Sequence, residues 1–471
     1  MVDGYESPLS GRYASNEMKT LFSERTKTET WRKLWVALAK AEHELGLPVT
    51  EEEVRDLSDH IYDIDFAEAA KREALVKHDV MAHIYAYGLA APKGKAILHL
   101  GATSAYVKDN GDLITYRDAL ALLRKKLCTA AYEIAMFAKA NAGLPVLGYT
   151  HYQPAQPVTL GKRFCLYLQD FLSDLTVLDE TLSSILFLGC RGTTGTEASF
   201  VALFNGDTEK IDRMNQRIAS EFGFSSCYPI ASQTYPRKTD SRILFVLKSI
   251  AESACRFASD VRLMQHDRVL SEAFEKDQVG SSAMPYKQNP MRCERICSLS
   301  RYLMNLEKNG SDVASNQWLE RTLDDSANRR LSMPEAFLTA DSVLTCVAQV
   351  VRGLKPHEAV IRRDLMRYLP FIATENIMME SVKRGGDRQE IHEIIRRLSV
   401  EAVQATDNGK ENPLIDLLAA EPAIGLSKPE LQALLVPERY TGRAEEQTLR
   451  YVSEVEPLLN DRLTSVEAAK N

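Results

Sequence analysis

The sequence predicts an all-α protein of three domains organised around a bundle of long helices. The first sign is the absence of Gly and Pro from Asp112 to Ala142, from Lys162 to Leu188 and from Arg237 to Val279. Apolar residues recur at helical spacing through each run. In the second, Phe164, Tyr167, Phe171, Leu175, Leu178, Leu182 and Ile185 alternate steps of three and four, which is the seam of a helix packed against near-parallel neighbours. Helices of roughly 27 to 30 residues would span about 40 Å. No segment here alternates apolar and polar residues convincingly as a strand would. The apolar residues also exceed what one bundle's interior takes up, so an oligomeric helix interface is expected. The domain cuts fall near residues 110 and 357, giving an N-terminal helical domain 1–110, a central long-helix bundle 111–357 and a C-terminal helical domain 358–471.

Composition narrows the function. The chain has 471 residues, 45% of them hydrophobic and 26% charged, as in a soluble globular protein. A net charge of -7 argues against a nucleic-acid-binding face while leaving room for a local basic pocket. Eight cysteines scattered from Cys128 to Cys346 lack the density of a disulfide framework and read as free thiols in a reducing, cytoplasmic setting. Cys293 and Cys297 lie one helical turn apart, but no CxxC pair or His-rich partner accompanies them, so they read as small buried residues. There is no basic-then-apolar leader pattern and no run of about 18 apolar residues, so no membrane association is expected.

Along the chain, Trp31, Leu34, Trp35, Leu38 and Leu45 share a helical face that Gly46 and Pro48 bring to an end. Thr50 and Glu53 form a capping box for the next helix. In HDVMAH, His78 and His83 are five residues apart rather than four, which excludes a helical zinc-protease pair. His78 stands between Lys77 and Asp79 in polar surroundings and is the stronger candidate of the two. HLGATS, His99 to Ser104, is a turn before a long helix, where Thr103 and Ser104 could bind a carboxylate or phosphate. THYQPAQPVTLG, Thr150 to Gly161, is kept out of helix by Pro154 and Pro157. It holds His151 among hydroxyl and amide groups as a candidate general acid or base. GTTGTEASF, Gly192 to Phe200, and Gln233 to Tyr235 are further connections.

The densest chemistry lies in GSSAMPYKQNP, Gly280 to Pro290. Gly280 and Pro285 shape a loop that presents Ser281 and Ser282. Asn289 and Pro290 read as N-cap and first residue of a helix running to about Leu306. Its free N–H groups, with Lys287, Arg292 and Arg295, would make an anion site beside the serine. In ERTLDDSANRR, Glu320 to Arg330, the residues Arg321, Arg329 and Arg330 read either as a salt-bridged helix face or as phosphate ligands. The last segment returns to short helices divided by Gly385, Gly386, Pro413, Pro422, Pro429 and Pro437.

HLGATS, THYQPAQP and GSSAMPYKQNP stand in the order and spacing of the three motif regions of the fumarase and aspartase superfamily, which the chain resembles over its whole length. SSAMPYK together with ERTLDDSANRR is most similar to the adenylosuccinate-cleaving family of animal type. The resemblance implies the three-domain fumarase-like fold, a homotetramer with each active site shared between subunits, and no metal or organic cofactor. It implies elimination of fumarate from two small-molecule nucleotides, adenylosuccinate and the succinyl-carboxamide imidazole ribotide. Ser281 then matches the general base and His151 the general acid. Lys287 would stabilise negative charge, and His78 would orient His151 or bind substrate. Lys77, His78, Asp79, Thr103, Ser104, Gln233 and Lys287 match substrate contacts, and Arg12, Tyr13, Arg295, Arg321, Ser326 and Arg330 match the nucleotide end. Lys77 and Gln288 stand where arginine is common in such relatives; the first keeps its charge without the fork, the second loses it. Two other readings remain: another lyase of the superfamily, acting on argininosuccinate or as a fumarase, and a crystallin-like structural protein. The phosphate-suited arginines weigh against the first, and His151, Ser281 and Lys287 against the second.

Overall fold

A computed structural model describes residues 4–275 and 277–459. Five long helices carry the architecture: α1 (Ser104–Ala140), α2 (Leu160–Ser183), α3 (Lys238–His266), α4 (Met291–Ser315) and α5 (Asp325–Gly353). Cross-contacts set their directions. Tyr167 bonds Asp260 and Ser249 bonds Asp174, so α2 runs against α3. Ser259 meets Cys297 at 3.6 Å while Gly310 lies against Ser241, so α4 also runs against α3. Lys126 bonds Asp341 and Glu133 bonds Arg352, so α1 and α5 run in the same direction. The starts of α1, α3 and α5 therefore gather at one end of the bundle. The starts of α2 and α4 gather at the other.

The expected seam forms the core. Phe164, Tyr167, Phe171, Leu175 and Leu178 are buried, and Leu182 is partly so. Each fully buried aromatic or leucine contributes about 2 to 3 kcal/mol relative to exposure. Trp31, Leu34, Trp35 and Leu38 are buried on the Glu24–Glu44 helix, and Thr50 with Glu53 closes the predicted capping box. His83 packs edge-on between Trp31 and Phe66, and its burial lowers its pKa, so it is a neutral core residue. Cys293 and Cys297 are buried and all eight cysteines are free. Beyond α5, Ile377, Ile391, Leu398, Leu414, Leu418 and Leu431 build a second apolar core.

Four expectations need correction. The third glycine-free run stops being helical at His266, because Arg268 turns left-handed (φ 58°) and the Val269 N–H bonds back to the Met264 carbonyl. That stop usually carries glycine, and this run has none to mark it. The chain then forms a short antiparallel pair, Leu270–Ser271 with Lys355–Pro356. Second, α4 continues past Leu306 through Gly310, where a Cβ would come within 2.9 Å of the Ser241 Cα. The glycine is there for close helix approach, not to end the helix. Third, the connection holding His151 is a β-hairpin, β1 (Pro145–Thr150) and β2 (Gln153–Thr159). Its prolines are compatible with a two-stranded ribbon because both strands are edges. Fourth, α4 starts at Met291, with Pro290 rather than Asn289 at the cap position.

One buried acid makes the stability of this scaffold depend on pH. Glu42 has no exposed surface, neither carboxyl oxygen has a hydrogen-bond partner among the described residues, and burial pushes its pKa up to about 9. The unfolded chain ionises this group near the ordinary glutamate value while the folded chain keeps it protonated. Stability therefore falls as pH rises from about 4.5 and levels off only above the folded pKa. We predict that Glu42→Gln removes this slope. The melting temperature of the variant relative to the parent should climb steadily between about pH 5 and 9, and a constant difference would show that Glu42 is not a buried neutral acid.

Candidate active site

At the end where α1, α3 and α5 begin, HLGATS turns into α1 through left-handed His99 (φ 68°) and Gly101 (φ 66°). Thr103 is the N-cap residue but makes no side-chain capping bond, so its hydroxyl is not spent on the helix. Ser104 Oγ lies 3.3 Å from His78 Nε2. His78 itself caps the Asp79–Ala90 helix, its Nδ1 accepting from the Met81 N–H at 3.4 Å. With Nδ1 accepting there, Nε2 would carry the ring proton and donate to Ser104. Lys77, just before it, is exposed in a left-handed conformation (φ 55°).

Asp79 holds this corner together. It pairs with Lys108 at 2.8 Å and with Arg330 at 3.1 Å. Burial alone would raise its pKa, but Lys108, the Val80 N–H and Arg330 outweigh that and hold the carboxylate below its usual range. Gln233 joins two loops, its side chain donating to the Thr193 carbonyl at 3.1 Å and its N–H to the Glu320 carbonyl at 3.3 Å. Asp79, Lys108, Arg321, Ser326 and Arg330 line a cavity of about 590 Å³, within the range of small-ligand sites. Arg329 is not a free cation there. It is buried and committed to Asp240 and Asp112, so it serves the scaffold rather than a phosphate.

At the opposite end, His151 and Tyr152 form the two-residue tip of the hairpin, between the paired residues Thr150 and Gln153. Both have positive φ, 53° and 58°. Such a tip favours Asn-Gly, and a bulkier residue there costs about 1 to 2 kcal/mol. Strain and exposure together make His151 a candidate functional position.

The Gly280–Pro290 loop lies near the same end. Ser281 Oγ accepts from the Met284 N–H at 3.1 Å and lies 3.4 Å from the Ala283 N–H. These donors stabilise negative charge on that oxygen. The expectation that the α4 start would serve the loop is overturned. The buried Glu272 carboxylate takes the Cys293 and Arg292 N–H groups at 2.7 and 3.2 Å, so that helix end is already capped by an anion. Asn289 instead donates to the Gly280 carbonyl, and Gln265 to the Gln288 carbonyl, tying the loop to itself and to the end of α3. Lys287 is exposed, with no ion-pair partner among the described residues. Arg292, counted above toward the anion site, pairs with Glu275. Arg295, one turn into α4, stacks over Tyr13 at 5.3 Å, and Arg12 beside it is exposed.

The predicted site residues thus fall into two groups. Lys77, His78, Asp79, Thr103, Ser104, Gln233, Arg321, Ser326 and Arg330 gather at one end of the bundle. His151, Ser281 and Lys287 lie toward the other, with Tyr13 and Arg295 on their side. Between them runs α3, whose 29 residues measure about 42 Å. Lys108 and Asp325 were missed in the sequence. Lys108 stands four residues after Ser104, on the same helical face, and that spacing was a usable signal. Asp325 had only its four-residue spacing from Arg321.

A family model described as Lyase matches residues 13–304, and one described as Adenylosuccinate lyase C-terminus matches residues 370–451. The chain is 47% identical to adenylosuccinate lyase of Saccharomyces cerevisiae over 454 residues, 96% of this chain and 94% of the relative. It is 47% identical to that of Schizosaccharomyces pombe over 453 residues, 95% and 94% of the two chains. Among solved structures, 3-carboxy-cis,cis-muconate lactonizing enzyme from Pseudomonas putida superposes with a TM-score of 0.82 at 23% identity, over 95% of this chain and 99% of that one. That likeness shows the fold.

Gly280 offers a direct test of the loop's architecture. A Cβ there would strike the Lys287 carbonyl and the Phe274 ring. We predict that Gly280→Ala opens the loop and speeds limited proteolysis between residues 277 and 290 several-fold, with little change in the melting temperature. Unchanged cleavage would show that the loop is not closed over Gly280.

Proposed function

The chain belongs to the adenylosuccinate lyase family, and from that premise we infer how its residues eliminate fumarate from adenylosuccinate in purine biosynthesis, with the succinyl-carboxamide imidazole ribotide as a second substrate. Ser281 removes a proton from the carbon beside a succinyl carboxylate, and the electron pair moves onto that carboxylate. The carbon–nitrogen bond then breaks, and His151 protonates the leaving nitrogen. The products are fumarate and, from the first substrate, AMP. The observation that carries this reading is the pair of backbone N–H groups directed at Ser281 Oγ. Serine is a poor base unless its alkoxide is stabilised, and those donors with Lys287 supply that stabilisation. Thr103, Ser104, Gln233 and Lys287 would hold the succinyl group. Arg12, Tyr13, Arg295, Arg321, Ser326 and Arg330 would hold the nucleotide, the arginines suiting its phosphate. The adenylosuccinate lyase C-terminus match weighs against the argininosuccinate, fumarase and crystallin-like readings.

No single nucleotide bridges about 42 Å, so we propose that each site is shared between copies of the chain in a homotetramer. Tyr149, Tyr152, Leu166 and Leu263 are exposed around the hairpin end, which supports burial there by another copy. We also propose three domains, 1–110, 111–357 and 358–471, the first boundary falling within α1 and the last domain supported by the separate apolar core between Ala373 and Leu431, and a cytoplasmic location, supported by the free thiols. Closure of the Ser281 loop over substrate is part of this reading.

Purified protein should release fumarate from adenylosuccinate, and Ser281→Ala and His151→Ala should each lower turnover by at least about 10²-fold while the assembly stays intact. Full activity in either variant removes that residue from its role, and no fumarate from either nucleotide ends the assignment. Shared sites make a second prediction. Ser281→Ala and His78→Ala change opposite ends of the bundle, so mixed assemblies of the two inactive variants should regain part of the parent's activity. Persistent inactivity in verified mixed assemblies would place both residues in a site built from one copy.

A further inference from the structure

We infer that Asp325, itself fixed by Arg237 and Asp109, is a positioning residue that aims the Arg321 guanidinium into the nucleotide cavity. The inference rests on Arg321 binding substrate as proposed above. Asp325 has no exposed side-chain surface and Arg237 almost none. One Asp325 oxygen accepts from Arg321 Nη1 at 2.9 Å and the other from Arg237 Nε at 2.7 Å. The two remaining Arg237 nitrogens reach both oxygens of Asp109, at 2.8 and 3.3 Å. Asp109 also accepts the Tyr235 N–H at 3.1 Å, two residues after Gln233. The line of contacts thus starts on α1, five residues beyond Ser104, passes through the start of α3 and ends at Arg321.

Two features separate this line from a purely structural ion cluster. Arg321 spends only Nη1 on Asp325 among the described residues and keeps about a quarter of its side chain exposed at the cavity. Its other donors remain available as a fork for an anion. Arg329 shows the contrasting arrangement: Nε goes to Asp240 and Nη2 to both Asp112 and Tyr235, so most of its fork is spent within the protein. Burial would raise the Asp325 pKa, yet Arg237 and Arg321 outweigh it, so the group stays ionised and keeps its hold on both arginines. A mobile arginine would have to be ordered by substrate at each encounter; this one is ordered beforehand.

The test is a double-mutant cycle on steady-state kinetics with adenylosuccinate. Arg321→Ala should raise KM at least about tenfold, and Asp325→Asn should raise KM by a similar factor while kcat falls less than about threefold. In the Arg321→Ala background, Asp325→Asn should raise KM no further, because the group it aims is gone. If the two effects multiply, or if Asp325→Asn leaves KM unchanged while Arg321→Ala raises it, Asp325 does not act through Arg321. If Arg321→Ala itself leaves KM unchanged, the failure belongs to the proposed role of Arg321. Should Asp325→Asn lose its melting transition, Arg237→Lys keeps the charge without the fork and is read in the same cycle: a KM rise absent from the Arg321→Ala background supports the inference, and a multiplicative one overturns it.

Discussion

The length of α3 constrains everything else. Twenty-nine residues without Gly or Pro make a rod of about 42 Å, and its neighbours α2 and α4 run antiparallel to it. A chain built this way carries its connections at the ends of the bundle and nowhere between. Chemistry that needs side chains from both ends then lies beyond one copy, and the helix faces left apolar offer the means of bringing copies together.

The two ends solve different physical problems. One is a basin of paired charges, where Asp79, Asp325 and Asp109 each fix cations that would otherwise be long, mobile side chains. The other is a pair of constrained loops. His151 and Tyr152 hold left-handed backbone at a hairpin tip, and Ser281 sits in a turn whose own N–H groups point at its oxygen. Glu272 takes the α4 helix start for structural use, so on the proposed reading the electropositive help for Ser281 would come from its turn and from Lys287. On the proposed reading, preset charges at one end would bind and constrained loops at the other would catalyse, with the helical bundle between them.

The sequence made the bundle legible because helical periodicity is a property of neighbouring residues, and the 162–188 seam is buried nearly as written. It was poor at ends and turns. Arg268 stops α3 in a conformation normally given to glycine, and His151 with Tyr152 makes a turn normally given to Asn-Gly, so composition pointed elsewhere. The candidate site was legible as motifs but not as an arrangement. Arg321, Arg329 and Arg330 look alike in the sequence and all border the cavity, yet Arg329 is buried and tied up by Asp240 and Asp112 while Arg321 and Arg330 keep exposed surface there. Asp325 gave only its four-residue spacing from Arg321, because what fixes it comes from residues 88 and 216 positions away, Arg237 and Asp109.

The central claim is that the reaction belongs to an assembly of copies and not to one chain. The most direct measurement follows specific activity against protein concentration alongside mass in solution, across the range where the assembly dissociates. Activity per chain should fall in step with dissociation and vanish for the folded monomer. A folded monomer that retained full specific activity would contradict the account.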